Sequence, residues 1–200
     1  MKGSSAAAIS LIMALVACSP EPASAPSGST AAPKAENVLE QARPALSPTV
    51  PEAAPAAPDM LTLEGLGSLR IGKAVPANGS WRERGAQLPG PCRTIGSPDF
   101  PGVYAIVEEG RVRRITIGES SKVKLIEGIG TGASEAEVRF HFTGFREEPH
   151  KYVASPGKYL TASNAITGDS ALRFEIGRES KVTLMHVGTM PVLGYVEGCA

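Results

Sequence analysis

No sign of charge prevails in this chain: 20 Lys and Arg offset 20 Asp and Glu. A nucleic-acid binder would carry a basic surplus and a solvating tail an acidic one, so both classes are excluded. The first 58 residues hold only Lys2, Lys34 and Arg43 against Glu21, Glu36, Glu40 and Glu52, which leaves the remainder nearly neutral too. Aromatics are scarce at 5% of residues, while 22 glycines punctuate short apolar runs. That balance suits a strand-rich domain with many turns better than a helical bundle. Long apolar runs are missing as well. The stretch Ala6 to Val16 is far short of the roughly 20 residues that a spanning helix needs.

What is present begins with an address. Lys2 supplies a positive start, Ala6 to Val16 an apolar core, and Leu15-Val16-Ala17-Cys18 closes it. The arrangement resembles a bacterial lipoprotein signal peptide, residues 1–17, ending in a lipobox: aliphatic, branched, small, then Cys. The resemblance implies a diacylglycerol on the Cys18 thiol, cleavage between Ala17 and Cys18, and acylation of the new amino terminus. Several acyl chains, at about 0.8 kcal/mol per buried methylene, make a lasting membrane anchor where one would not. Ser19 in place of Asp implies sorting to the outer membrane, facing the periplasm or the cell surface.

Residues 18–58 then form a stretch rich in Pro, Ala and Ser and poor in aromatics. It buries too little apolar surface to offset its ordering entropy and is expected to be a disordered tether. About 40 residues of extended chain at about 3.1 Å each reach on the order of 100 Å. The rest, about 140 residues, is the size of one domain.

Within that domain, 59–200, the pattern suggests an α+β fold of two degenerate halves, about 62–118 and 122–196. Leu69-Arg70-Ile71-Gly72 opens the first half and Ile129-Gly130-Thr131-Gly132 the second. A helix start follows in the second half, where Ser134 is an N-cap with Glu137 three residues on, before Val138, Phe140 and Phe142. Its counterpart, Val75 to Trp81, is a poorer helix-like segment interrupted by Pro76 and Gly79. Each half closes with an antiparallel hairpin: Val103 to Val107 through Glu109-Gly110 into Val112 to Ile117, and Leu172 to Ile176 through Gly177 to Ser180 into Val182 to Val187. An insertion near Lys158 to Asp169 accounts for the unequal spacing. This tandem of helix-plus-strand halves resembles the SmpA/OmlA-type outer-membrane lipoproteins and the secreted β-lactamase inhibitor proteins. His150-Lys151-Tyr152 and the terminal Glu197-Gly198-Cys199-Ala200 are similar to elements of uncharacterised exported bacterial domains.

With Cys18 lipidated, Cys92 and Cys199 remain as an even pair in an oxidising compartment, and a disulfide is expected. It closes a loop of about 107 residues, for which the chain-entropy model gives about 4.7 kcal/mol. The alternative, a reactive or metal-binding thiol pair, lacks a Cys-x-x-Cys spacing. His141, His150 and His186 are scattered, with no His-Glu-x-x-His, so no metal is expected. No Gly-x-Ser-x-Gly elbow supports a nucleophile, and Glu108-Glu109 and Glu147-Glu148 read as solvated turn charges rather than a glycosidase pair. Gly128 to Ala133 before a helix mimics a dinucleotide-binding turn, but no strand-helix series follows it, and the glycines read as a tight strand-to-helix connection. No catalytic residue and no cofactor are therefore assigned.

Arg111, Arg113 and Arg114 form the densest basic cluster, read as a solvated sheet face or a small patch for anionic headgroups. Ser155-Pro156-Gly157-Lys158-Tyr159 sits at the start of the insertion. It resembles a loop of bacterial lysozyme inhibitors, with Pro156 departing from the pattern. With Phe145, His150, Tyr152 and Tyr159 it is the expected partner site, since loops and tyrosines are favoured in recognition. The expected function is a non-enzymatic envelope module that binds a protein or peptidoglycan partner, with hydrolase inhibition as one form. The rivals are a structural subunit of an outer-membrane assembly complex and a hydrolase with an unrecognised site.

Overall fold

The computed structural model describes residues 59–166 and 168–199. The expected signal peptide, Cys18 and the expected tether lie outside the described residues. Eleven strands and one α-helix follow in chain order. They are β1 (Leu61–Thr62), β2 (Gly65–Leu66), β3 (Leu69–Arg70), β4 (Arg82–Glu83), β5 (Cys92–Gly96), β6 (Val103–Glu108), β7 (Arg111–Ile117), α1 (Glu135–His141), β8 (Phe145–Pro149), β9 (Lys158–Ala162), β10 (Ala171–Ile176) and β11 (Val182–Gly188). The first three make a small sheet, and the other eight a single antiparallel sheet in the order β4-β5-β6-β7-β11-β10-β9-β8. Thus β4 to β7 run as one meander and β8 to β11 as another, and the last strands of the two pair in the middle. The domain is mostly β, with one α-helix among its described residues.

Both expected hairpins form, from Val103–Glu108 to Arg111–Ile117 and from Ala171–Ile176 to Val182–Gly188. Glu109 and Gly110, at φ 53° and 73°, are both left-handed, and a two-residue turn of that kind matches the twist of the strands it joins. The helix starts where Ser134 and Glu137 place it. The Ser134 hydroxyl accepts from the Glu137 amide, and the Glu137 carboxylate accepts from the Ser134 amide, a reciprocal capping box.

Two expectations change. The segment Val75 to Trp81 is not helical: Pro76 and Gly79 leave a turn, and Trp81 buries its ring in stacking contact with Phe100, centroids 5.7 Å apart. The supposed insertion from Lys158 begins as β9, which pairs on both sides with β8 and β10. Its apolar alternation was obscured by the loop chemistry of Pro156 and Gly157 just before it.

Strand alternation gives the large sheet two unlike faces. Ile95, Val103, Ala105, Ile115, Ile117, Leu160, Leu172, Phe174, Ile176, Met185 and Val187 share one apolar core. Covering them are Leu61, Leu66 and Leu69 of the small sheet, Val138 of α1, and Trp81. The intervening residues point to the opposite face, and most of these are polar: Thr94 and Glu108, Arg114 and Thr116, His186, Arg173 and Glu175, Tyr159 and Thr161, with Ile106, Ala171 and Leu184 among them. The edges are blunt. Outer strand β4 is Arg-Glu, and β8 carries Arg146, Glu147, Glu148 and Pro149, which discourages edge-to-edge pairing.

Phe174 is fully buried and meets Phe142 and Phe145 at ring distances of 6.0 and 5.7 Å, whereas Phe140 on α1 is 83% exposed. Phe174→Ala is expected to cost about 3–5 kcal/mol in urea unfolding. Phe140→Ser is expected to stay within about 0.5 kcal/mol of the parent.

Candidate functional site

The polar face of a one-sided sheet normally meets water. Here it does not: Arg114, Thr116, Thr161, Arg173, Glu175 and His186 are all buried. Two segments cover them. From one side comes the loop between β8 and β9, residues 150–157. From the other comes the carboxy-terminal segment 189–199, which leaves β11 through a turn of 3-10 helix, Val192–Gly194, and crosses toward β5. The two meet at an ion pair, Lys151 Nζ to Glu197 at 3.0 Å.

A chain of hydrogen bonds runs beneath them. The Thr116 hydroxyl lies 2.9 Å from Nδ1 of His186, and Nε2 of His186 lies 3.1 Å from Glu175 Oε1. The other oxygen of Glu175 is 3.1 Å from Nε2 of His150. The amides of Tyr152 and Val153 donate to Nδ1 of His150 at 3.1 and 3.2 Å. The tautomers follow from this count of donors and acceptors. Nδ1 of His150 accepts twice, so its proton sits on Nε2 and goes to Glu175. His186 likewise donates from Nε2 and accepts the Thr116 hydroxyl proton at Nδ1. The His150 ring stacks on Tyr159, centroids 4.6 Å apart, and Arg173 lies over the other partner of that stack at 4.1 Å from the Tyr159 ring.

Burial sets the protonation states. Withdrawal from water, aided by the positive charges of Arg114 and Arg173 and opposed by Glu175, pushes His186 down from 6.5 to about 4. Burial alone would raise Glu175, but the hydrogen bonds from His186 and His150 outweigh it and hold the carboxyl below its ordinary range. Desolvation also lowers Arg114, while Tyr104 and Glu175 support its charge.

A hydroxyl, an imidazole and a carboxylate in series are the parts of a nucleophilic triad. Thr116 is 0% and His186 1% exposed, so no substrate reaches them in this conformation. The series instead ends on the backbone of the loop that carries Tyr152.

The expected partner residues separate accordingly. Tyr152 is 59% exposed, with the Lys151 ammonium 5.1 Å from its ring centroid. Tyr159 is 3% exposed and His150 retains 8% of its side-chain surface. Both side chains are withdrawn from the surface, and Tyr159, a residue of β9, reaches back with its hydroxyl to accept from the Lys151 amide at 3.3 Å. Phe145 packs partly buried against the core. The basic cluster divides too. Arg111 is exposed and donates to the Gly72 carbonyl, Arg113 pairs with Glu109 in the turn, and Arg114 is buried, as the alternation of β7 demands. Glu147 and Glu148 lie in β8, not a turn, and pair with Arg139 and Lys158 and with Arg146 and Arg173. Ser155 and Lys158 have Ser-x-x-Lys spacing, which aligns the pair only on a helix. Here Ser155 sits in a turn and Lys158 in β9, paired with Glu135.

Cys92 and Cys199 are bonded, with Cα atoms 5.7 Å apart. Gly132 stands at φ 87° and donates its amide to Val182. The dinucleotide-like turn therefore connects the chain to a seven-residue helix. Among the described residues, no three His, Cys, Asp or Glu are grouped to hold a metal ion, and no helix is long and apolar enough to cross a membrane. Comparison with known proteins finds no family that matches the chain, no similar curated protein and no similar solved structure.

The sign of the pH dependence follows from these groups. An unfolded chain protonates His186 near 6.5, the folded one only near 4, so stability falls as pH drops between those values. The contribution of Glu175 has the same direction, being lost as pH falls through its depressed value. Urea unfolding should lose on the order of 3 kcal/mol from pH 7 to 4 through His186. His186→Gln keeps donor and acceptor without titrating and should flatten that slope; an unchanged slope would show that His186 is not its source.

Proposed function

We propose that the chain is a membrane-anchored lipoprotein of the bacterial envelope, and that its domain is a non-enzymatic binding module. The module presents the 150–157 loop, led by Tyr152, to a protein or cell-wall partner. One observation carries this reading: an exposed aromatic stands on a loop whose backbone is fixed by buried groups. His150 holds the amides of residues 152 and 153, Tyr159 holds that of 151, and the Gly157 amide donates to Ala154 at 2.9 Å. A side chain at Gly157 would lie within 2.6–2.8 Å of Val153, so the loop closes on itself tightly. Fixing a loop before contact removes much of the ordering cost of binding, and Tyr is a favoured anchor at interface centres.

The anchor rests on Leu15-Val16-Ala17-Cys18, with residues 1–17 as leader and 18–58 as tether. The tandem-half relation to SmpA/OmlA-type lipoproteins and β-lactamase inhibitor proteins draws support from the two four-strand meanders, β4 to β7 and β8 to β11, paired through their last strands. Hydrolase inhibition is the form of binding that this likeness favours. The closed polar face, with Thr116 and His186 out of reach, favours binding over hydrolysis.

Two measurements test the reading. Cys18→Ser should move the protein from the membrane fraction to the soluble fraction; a variant that stays with the membrane removes the lipid anchor from the account. Tyr152→Ala should unfold within about 0.5 kcal/mol of the parent yet recover its partner from detergent-solubilised envelopes at least about tenfold less well. Equal recovery removes the loop.

A further inference from the structure

The carboxy-terminal segment lies on the polar face as a bound peptide would. Arg114 Nη1 donates to the carbonyls of Val192, at 3.2 Å, and of Tyr195. The Tyr195 hydroxyl donates to Glu108 at 3.4 Å, and Thr94 reaches Cys199 Sγ at 3.7 Å. Leu193 is fully buried against Ala165 and Ala171, apart from the main core. Opposite Arg114 on β6, Ile106 is fully buried without belonging to either apolar cluster. These contacts fall on main-chain carbonyls of the 3-10 turn and of Tyr195 that ends it, one apolar side chain and one hydroxyl, which many turn-forming sequences supply.

The receiving face is built for more than it holds. Arg114 is 1% exposed, its Nε finds no hydrogen-bond partner among the described residues, and no ion pair there includes it. A buried guanidinium is best matched by a planar pair of acceptors, above all a carboxylate. Two carbonyls engage Nη1, and Tyr104 and Glu175 support the charge, but Nε is left without a partner among the described residues. The segment is held at its far end by the disulfide between Cys199 and Cys92 on β5.

We propose that the face of β5, β6 and β7 is a peptide-binding surface, filled by the chain's own residues 189–199 and vacated when Cys92–Cys199 is reduced. The ligand is a short turn-forming segment of a partner protein that offers a buried apolar residue and main-chain or carboxylate oxygens to Arg114. Release follows ordinary exchange with a dithiol. One thiolate of the dithiol attacks a sulfur of the pair, breaking the S–S bond and forming a mixed disulfide. The second thiol then displaces the protein sulfur. Two electrons pass to the protein, Cys92 and Cys199 each end as thiols, and the reductant ends as a disulfide. The inference does not rest on Tyr152, which lies on the other covering segment.

The test uses the full chain, oxidised and after treatment with dithiothreitol, with Cys199→Ser as a reductant-free equivalent. Hydrogen exchange is read at residues 192–199 and at β10 and β11, and a fluorescent peptide of sequence Thr189 to Gly198 is titrated up to ~1 mM, the range needed against a tethered competitor. Expected are at least tenfold faster exchange at 192–199 on reduction, unchanged β10 and β11, and peptide binding only in the reduced and Cys199→Ser forms. A scrambled peptide should not bind. Three outcomes overturn the proposal: undiminished protection of 192–199 after reduction, loss of protection across the whole sheet, or a freed segment without peptide binding.

Discussion

Glu175 sits within a sheet, out of water, and two imidazoles that point N–H groups at its two oxygens hold its carboxyl below the ordinary range against the effect of burial. Such a group leaves little freedom around it. An acceptor-only anion fixes which nitrogen of each histidine carries the proton, and each fixed nitrogen then dictates what its opposite one must accept. On one side that is the Thr116 hydroxyl inside the sheet; on the other it is the backbone of the loop outside it. The conformation of an exposed loop is therefore set by a charge on the strand next to the one it leads into. Removing one member leaves a buried donor or acceptor unsatisfied, a penalty of about 1–3 kcal/mol and more for a charge.

The two faces of the sheet divide the labour of stability differently. The apolar face is held by area and packing, which tolerate exchange among hydrophobic residues of similar volume. The polar face is held by direction, and tolerates little. Its cations, Arg114 and Arg173, exceed its single well-buried anion, and the balance comes from carbonyls of the carboxy-terminal segment and from the half-exposed Glu148. The two covering segments touch through Lys151 and Glu197, both about half exposed. A pair so placed contributes at most about 1 kcal/mol. That ion pair therefore ties the two coverings together only weakly.

What was legible in the sequence was local. The capping box of Ser134 and Glu137 and the turn at Glu109-Gly110 are decided within a few residues, and the hairpins form where those signals stand. Alternation was legible as well: Leu172-Arg173-Phe174-Glu175-Ile176 and Arg114-Ile115-Thr116-Ile117 put polar residues on one face and apolar ones on the other. The missing knowledge was what lies on that polar face. Covering Arg114 requires residues about 80 positions later, and covering Glu175 requires a loop outside its own hairpin, so the basic cluster read as a solvated face and nothing marked Glu175 as buried. Trp81 and Tyr159 escaped for the same reason, since each ring is covered by residues distant in the chain, Phe100 for the one and Arg173 on the next strand for the other.

The series Thr116, His186 and Glu175 shows why geometry alone does not make a reactive site. A general base works best with a pKa near the operating pH, and the withdrawal from water that organises His186 takes it to about 4. An imidazole so weakened has little power to take the proton of a threonine hydroxyl, and the segments that dehydrate it also deny entry to a substrate. Rigidity and reactivity have here been drawn from the same source, and the burial that favours one removes the other. What the arrangement delivers is position: a carboxylate deep in the sheet, transmitted through one histidine, holds two amides of an exposed loop in place.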